Sequence, residues 1–359
     1  MAPVASNTNA PDDSVARSRL TNPLEYSGSL DQYAYTEMTP IVGRLYHDVQ
    51  IKDLLRDPDS KQLLQDMAYT ISHRGVVFFR NQDLCLADQK EFVNFISELS
   101  GRPSSSGLHV HPSFRSPDNE PIDENGNHDE NVYVVSNKAQ VKLFKEMPHR
   151  GTVTDAAVGW HTDVTFEPVP ADYSCLIMRT TPPTGGDTLW CSATALYDRI
   201  SPPYRSFLET LTSTCAQPVF VKSAARVGYE IMSPRGSPLN AGTEFSAVHP
   251  VVRTNPVTGL KSIFAVGLHC EKINDVHPYE DKQIRDYFLH LITRNHDMQV
   301  RYKWGPNDVA IWDNRSVFHA ATPDIGEGIR FGNRVTSVGE RPYLDPKSKS
   351  RQETLMNGH

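Results

Sequence analysis

Beyond residue 157 the chain breaks into short apolar runs, each bounded by turn residues: 174–178, 219–221, 248–252, 263–266, 309–312 and 334–338. Runs of this length between Gly, Pro, Asn and Asp clusters predict strands. Residues 254–259 carry the Asn-Pro and Thr-Gly chemistry of a hairpin turn. One helix interrupts the strands over 280–294, where Ile284, Phe288, Leu291 and Ile292 repeat at i, i+4, i+7 and i+8. Many short strands without regular βα alternation predict a mostly β fold with flanking helices. A sandwich or a double-sheet jelly roll fits them better than a parallel βαβ sheet. There is no internal repeat, no Walker sequence and no G-x-G-x-x-G.

Upstream, residues 61–73 place Leu64, Met67, Ala68 and Ile71 at helical spacing. Gly75 ends that helix, and Val76-Val77-Phe78-Phe79 predicts a strand buried on both faces. A second helix is expected over 87–99, with Phe92, Phe95, Ile96 and Leu99 on one face. Residues 101–157 are mostly polar and rich in Pro, Gly, Ser and Asn, which predicts a long loop, a kind usually functional or disordered. Residues 1–20 read as a disordered tail. Residues 21–359 then form a single domain with the 101–157 insertion, since β-rich domains routinely exceed the usual domain length.

The formal net charge of −7, from 36 basic and 43 acidic residues, argues against nucleic acid or an anionic membrane as the main partner. Cys85, Cys175, Cys191, Cys215 and Cys270 are scattered and form no C-x-x-C, the pattern of free thiols in a reducing compartment. The first twenty residues lack the apolar run of a signal peptide, and no stretch is apolar enough to span a bilayer. The expectation is a cytoplasmic protein, with self-association into a homo-oligomer left open. Asn314-Arg315-Ser316 matches a glycosylation sequon and, without a secretory signal, is read as chance.

Trp160-His161-Thr162-Asp163 contains H-x-D. Alternate residues of a strand share a face, so this histidine and carboxylate can converge on one ion. His319, far downstream, supplies a second imidazole. Two histidines and one carboxylate on one face are the triad of non-haem Fe(II) oxygenases, and they leave coordination positions open. A closed structural zinc site fills its fourth position with protein. H-x-D alone is three letters in a chain with 14 histidines, and an ordinary hydrogen-bonded histidine explains it equally well.

Context decides between them. Trp160-His161-Thr162-Asp163-Val164-Thr165-Phe166, then Pro182-Pro183-Thr184-Gly185-Gly186-Asp187-Thr188-Leu189-Trp190, then Asn307-Asp308-Val309-Ala310-Ile311-Trp312-Asp313-Asn314-Arg315 follow in order. Together they resemble the taurine dioxygenase family of 2-oxoglutarate-dependent oxygenases, with its fungal sulfonate and alkylsulfate members, from about Gly75 to Pro342. The resemblance implies a double-stranded β-helix, Fe(II) on His161, Asp163 and His319, and 2-oxoglutarate and O₂ as cosubstrates. It implies that Arg330, eleven residues after His319, binds the distal carboxylate of 2-oxoglutarate with help from Thr188. A guanidinium fork matches a carboxylate, and a hydroxyl adds one more bond.

In sulfonate-oxidising members an arginine matching Arg334 grips the anion of the substrate, and a loop histidine matching His111 assists. His111 fits that role or an exposed loop histidine equally, and His109 reads as structural. Phe114 stands where taurine-oxidising members have a tyrosine, and Ala157 where they have an asparagine. Residues 265–269 also depart from the family pattern, so the chemistry is kept while the pocket is altered. The expectation is oxidation of a C–H bond in a small anionic aliphatic substrate, an alkylsulfonate or alkyl sulfate, with release of succinate and CO₂. The same chemistry on a small amino acid or other carboxylate, by hydroxylation, desaturation or ring closure, is the alternative. A jelly-roll binding protein without catalysis would have lost a triad residue or Arg330, and a zinc hydrolase would need a general base that the sequence does not offer.

Overall fold

The computed structural model describes residues 16–112, 128–137, 156–264, 266–325 and 328–357. In chain order, β1 (Tyr35–Glu37) and β2 (Arg44–Tyr46) precede α1 (Ile51–Arg56), α2 (Ser60–Arg74), β3 (Val76–Phe79) and α3 (Leu86–Leu99). β4 (Val132–Ser136), β5 (Ala171–Thr180) and β6 (Thr188–Ser192) lead to α4 (Ala193–Asp198), α5 (Pro202–Leu208), β7 (Thr212–Ala216) and α6 (Val219–Val227). β8 (Ser246–Pro250), β9 (Val252–Thr254), β10 (Lys261–Ile263) and β11 (Cys270–Ile273) come before α7 (Pro278–Arg294). β12 (Gln299–Tyr302), β13 (Asp308–Asp313), β14 (Val317–Ala321), β15 (Phe331–Val338) and α8 (Arg351–Asn357) follow.

Among the described residues, seven strands form one sheet in the order β1-β2-β3-β13-β5-β15-β4. The others form a three-stranded sheet β12-β6-β14, a second three-stranded sheet β11-β7-β8 and the β9–β10 hairpin. β2 and β3 run parallel, while β3, β5, β13 and β15 pair antiparallel. The result is a sheet-rich fold with flanking helices.

Period-two alternation divides the large sheet between two cores. Val76 and Phe78, Leu176 and Met178, and Ala310 and Trp312 pack with Trp190, Tyr302, Trp304 and Val317 from or beside the β12-β6-β14 sheet. Val77, Phe79, Cys175, Ile177, Val309 and Ile311 pack instead with Leu54, Leu63, Met67, Ile71, Phe92 and Ile96 of α1 to α3. Both faces are covered, which is why β3 is apolar at every position. α2 and α3 lie where helical spacing expects them, and Gly75, at φ +72, ends α2.

Several expectations are corrected. Residues 219–221 belong to helix α6, not to a strand: Phe220 and Ala224 face inward at i and i+4, and Gly228 ends the helix at φ +80. That tertiary contact outweighs the β propensity of two valines. The run 248–252 is split between β8 and β9, which lie in different sheets. The stretch read as loop over 101–157 contains β4, whose valines pair along β15. The tail expected over 1–20 is docked from residue 16 onward. Ala16 is buried, Arg19 donates its backbone N–H to Gly101 O (2.7 Å), and its Nε donates to Arg102 O (2.6 Å). Residues 1–15, Phe114 and Ala265 lie outside the described residues.

A buried charge cluster ties these layers together. Arg315 donates from Nε and Nη2 to Asp313 (2.8 and 2.9 Å) and from Nη1 to Glu340 (3.4 Å). Asp313 also accepts from Ser72 Oγ of α2 (2.6 Å) and Asn255 Nδ2 of the β9–β10 turn (2.9 Å). Glu340 pairs with Arg253, and all four charged side chains are essentially inaccessible to solvent. Removing one member of such a cluster strands the opposite charge in a dry interior. Arg315→Ala is therefore expected to lower unfolding free energy by about 3–5 kcal/mol, with Arg315→Lys recovering only part of it because an ammonium cannot form the fork. Urea denaturation checks this, and an unchanged midpoint would contradict it.

Candidate active site

His161 lies outside any named strand but forms an antiparallel bridge with His319 of β14. His161 N–H donates to His319 O (3.0 Å) and His319 N–H to His161 O (2.9 Å). Residues opposed in this way project to the same side of a sheet, and the imidazole centroids stand 4.2 Å apart. The flank of the bridge is close-packed: a Cβ on Gly267, at φ +92, would lie 1.9 Å from Trp160 O.

Asp163 completes the cluster two residues on. Its Oδ1 lies 3.7 Å from His161 Nε2 and 3.8 Å from His319 Nε2. These separations exceed hydrogen-bond range, and the three donor atoms all lie within 4.8 Å of one another. Val164, the next residue, sits at φ +63, a strained conformation for a β-branched side chain that turns the chain away directly after the carboxylate. Asp163 N–H donates to Asn314 Oδ1 (3.2 Å), which also accepts from Trp312 Nε1 (3.1 Å). Ser174 Oγ donates to Asp163 Oδ2 (2.8 Å), and Asn314 Nδ2 donates to Ser174 Oγ (3.0 Å). The Trp312-Asp313-Asn314-Arg315 motif thus braces the carboxylate through Asn314 and the core through Asp313 and Arg315.

Electrostatics prepare the three groups as ligands. Burial lowers the pKa of both His161 and His319, so the imidazoles are neutral. Burial opposes the charge on Asp163, but the Arg334 guanidinium foremost, with the two histidines and Ser174, holds the carboxyl well below the usual range. His161 Nδ1 faces Gly159 O at 2.9 Å, which fixes the ring proton there and leaves the Nε2 lone pair toward Asp163. Two neutral imidazole nitrogens and a carboxylate fit a divalent iron, with room for other ligands.

The other residues singled out in the sequence gather around this cluster. Arg330 is buried; its Nε donates to Gly186 O (2.9 Å) and its Nη2 to Thr188 Oγ1 (3.3 Å). Burial lowers its pKa to about 10 against the opposing charge of Asp187, so it remains cationic near neutrality. The paired glycines of this motif are required by the backbone: Gly185 is at φ +76, and a Cβ on it would lie 2.0 Å from Asp324 O. Arg334 Nη1 donates to Asp163 Oδ1 at 2.8 Å. His111 stacks on Tyr133 at 4.1 Å, and the Arg334 guanidinium lies 5.0 Å from the centroid of the same ring. Ala157 falls in the short turn Ala156–Gly159 ahead of Trp160.

Four residues carry no individual role in the sequence reading, although His269 ends the departing segment 265–269. Ser174 and Trp304 act through long-range contacts that no local pattern signals; Trp304 Nε1 donates to Thr188 Oγ1 at 3.0 Å. Tyr133 lay in the stretch read as loop, though its neighbours Val132, Val134 and Val135 signal a strand. His269 stands edge-on to His161 (5.8 Å) and Phe166 (5.2 Å), with Gln217 Nε2 3.1 Å from its Nδ1. Burial lowers its pKa to about 3, so it is neutral. Phe166 touches Phe220 (5.3 Å), and Phe220 touches His111 (5.4 Å). The contacts therefore close a circuit: His319, His161, His269, Phe166, Phe220, His111, Tyr133, Arg334 and back to Asp163.

This geometry agrees with the comparisons to known proteins. The family model "Taurine catabolism dioxygenase TauD, TfdA family" matches residues 34–336. The chain belongs to that family. It is accordingly an Fe(II)- and 2-oxoglutarate-dependent dioxygenase. An alpha-ketoglutarate-dependent dioxygenase of Neocamarosporium betae, btcD, is 43% identical over 354 residues, spanning 93% of this chain and 98% of its own. An alpha-ketoglutarate-dependent sulfonate dioxygenase of Saccharomyces cerevisiae is 30% identical over 320 residues, spanning 89% of this chain and 70% of its own. The crystal structure of a taurine dioxygenase from Burkholderia xenovorans superposes with a TM-score of 0.63 at 25% identity, covering 88% of this chain and 92% of that one. Among the described residues no helix is long and apolar enough to cross a membrane.

Proposed function

We propose that His161, Asp163 and His319 hold the Fe(II) and that Arg330 and Thr188 hold the distal carboxylate of 2-oxoglutarate. In this reading Arg334 and His111 select a small anionic aliphatic substrate, an alkylsulfonate or alkyl sulfate. The observation that carries it is the position of Arg334, with its guanidinium on the carboxylate of the three-donor cluster and over the same ring as His111. A fixed cation at that point suits an anion bound beside the cluster, and the Saccharomyces cerevisiae sulfonate dioxygenase, a relative of this chain, accords with it. The sheets support a double-stranded β-helix: β5, β13 and β15 lie in one and β6, β12 and β14 in the other, and the chain alternates between them from β12 to β15.

The protein's own contribution is placement and charge. Thr188 is two positions along β6 from Trp190, the direct partner of His319. That is roughly 7 Å of strand, a distance a five-carbon diacid spans. Thr188 Oγ1 already accepts from Trp304 and Arg330, so its own proton is left to donate to a carboxylate. Ser174 and Asn314 hold Asp163 at a fixed angle. Bound Fe(II) with 2-oxoglutarate and O₂ supplies the oxidant for the C–H bond and yields succinate and CO₂. Arg334 and His111 hold the anionic end of the substrate and so choose which carbon faces the cluster. One observation favours a second reading, a small carboxylate such as an amino acid: neutral His269 adds a hydrogen-bonding group between His161 and Phe166.

Three outcomes are expected. His161→Ala, Asp163→Ala and His319→Ala each lose iron binding and succinate formation, measured by anaerobic metal titration and product assay; near-normal iron binding in any one would remove that residue from the ligand set. Arg330→Ala raises the KM for 2-oxoglutarate, reflecting a loss of about 2–5 kcal/mol, and leaves metal binding intact. Unchanged 2-oxoglutarate dependence would refute its role. Wild type prefers alkylsulfonates to uncharged analogues of equal length in kcat/KM, and Arg334→Ala abolishes that preference. If Arg334→Ala instead weakens 2-oxoglutarate and spares the preference, Arg334 braces the cosubstrate and the substrate reading fails.

A further inference from the structure

The circuit of contacts contains one residue with no part in binding iron or cosubstrate that touches both proposed anion-binding groups. Tyr133 of β4 is the direct cross-strand partner of Arg334 on β15. Side chains so opposed are the closest neighbours a sheet provides. The Arg334 guanidinium lies 5.0 Å from the Tyr133 centroid, within cation–π range. The His111 ring stacks on Tyr133 at 4.1 Å with an interplanar angle of 27°. His111 also meets the edge of Phe220, which packs with Phe166 and Phe245.

Arg334 depends on that ring. Among the described residues its buried Nε has no hydrogen-bond partner, and its Nη1 bonds to Asp163 Oδ1. Asp163 is also the carboxylate proposed to bind the metal ion. A cation there competes for the same negative charge, and among the described residues the aromatic ring is then a neighbour that still fixes the guanidinium. A ring also holds an arginine without neutralising it, so the positive charge stays available to an anion.

We propose that Tyr133 is the positioning residue for anion selectivity, holding Arg334 and His111 against one ring as a preformed two-donor cradle. The inference rests on the substrate reading given above and adds the residue that makes the cradle rigid. The ring is the operative part, so phenylalanine replaces it and an aliphatic side chain does not. Valine keeps the β propensity that strand β4 needs.

The test is anaerobic titration calorimetry on the Fe(II)- and 2-oxoglutarate-loaded protein. The probes are alkylsulfonates and alkyl sulfates from ethyl to octyl, beside alcohols of equal length, and succinate assays give kcat and KM for the best of them. Tyr133→Val is expected to weaken binding of the preferred anion about tenfold, with KM following and kcat little changed. Affinities for the matched alcohol and for 2-oxoglutarate should stay within about twofold of wild type, as should every value for Tyr133→Phe. Wild-type anion affinity in Tyr133→Val overturns the proposal, as does an equal loss in Tyr133→Phe. Weakened 2-oxoglutarate binding in Tyr133→Val overturns it too, because that marks a general structural role. Arg334→Ala, measured alongside, separates the two ideas. If it loses the anion preference and Tyr133→Val does not, Arg334 keeps its role and Tyr133 loses its own; if Arg334→Ala keeps the preference, both fall.

Discussion

Two backbone hydrogen bonds, between His161 and His319, join segments far apart in sequence, and the three-donor cluster hangs on them. The bridge is short, with no strand flanking His161, yet it sets the direction of two imidazoles at once. Its register is critical because side chains alternate from face to face along a strand. A slip of one residue would aim His319 into the opposite core, where Phe318 and Ala320 now pack. The close approach of Gly267 to Trp160 O on one side and the turn at Val164 on the other keep the bridge from slipping.

Around this bridge the interior carries an unusual load of charge. Asp163, Arg330, Asp313, Arg315, Glu340, Arg253, Glu167 and Arg235 are all buried. Burying charges stabilises little by itself, since desolvation offsets most of the attraction. What it supplies is geometry. A carboxylate held by Ser174, Asn314 and Arg334 has one orientation, and an arginine held by Gly186 and Thr188 has another. Rigid placement of this kind is what chemistry at a metal requires, because a displacement of about 1 Å costs rate.

The aromatic circuit explains how the fold separates reactivity from selectivity. The residues proposed to hold iron and cosubstrate sit on β6, on β14, just before β15 and on the bridge segment. The groups proposed for the substrate side, His111, Tyr133, Phe220 and His269, come from the segment before β4, from β4 itself, from α6 and from the segment before β11. These outer elements can change side chains without disturbing the pair of sheets that hold the metal face. Of the departures read in the sequence, the segment 265–269 ends in His269, which joins the circuit, while Ala157 lies in the turn directly ahead of the bridge.

The sequence by itself determined the elements whose signal is local. Helices at 60–74, 86–99 and 278–294 follow from spacing, β3 from a run apolar on both faces, and the turn after β9 from Asn-Pro and Thr-Gly. It also determined the chemical class, because H-x-D, the paired glycines before Asp187-Thr188 and the downstream His319 and Arg330 together resemble the motifs of the family to which the chain belongs. What the tertiary structure decided depends on partners distant in sequence. Residues 219–221 became helical because Phe220 had an aromatic cluster to face, and the polar stretch around β4 gained a strand because β15 offered it an open edge. Ser174, Trp304, Tyr133 and His269 reached the site the same way. Each meets a residue many positions away in the chain, and such a meeting is set by sheet register and layer packing, which leave no periodic trace in the sequence.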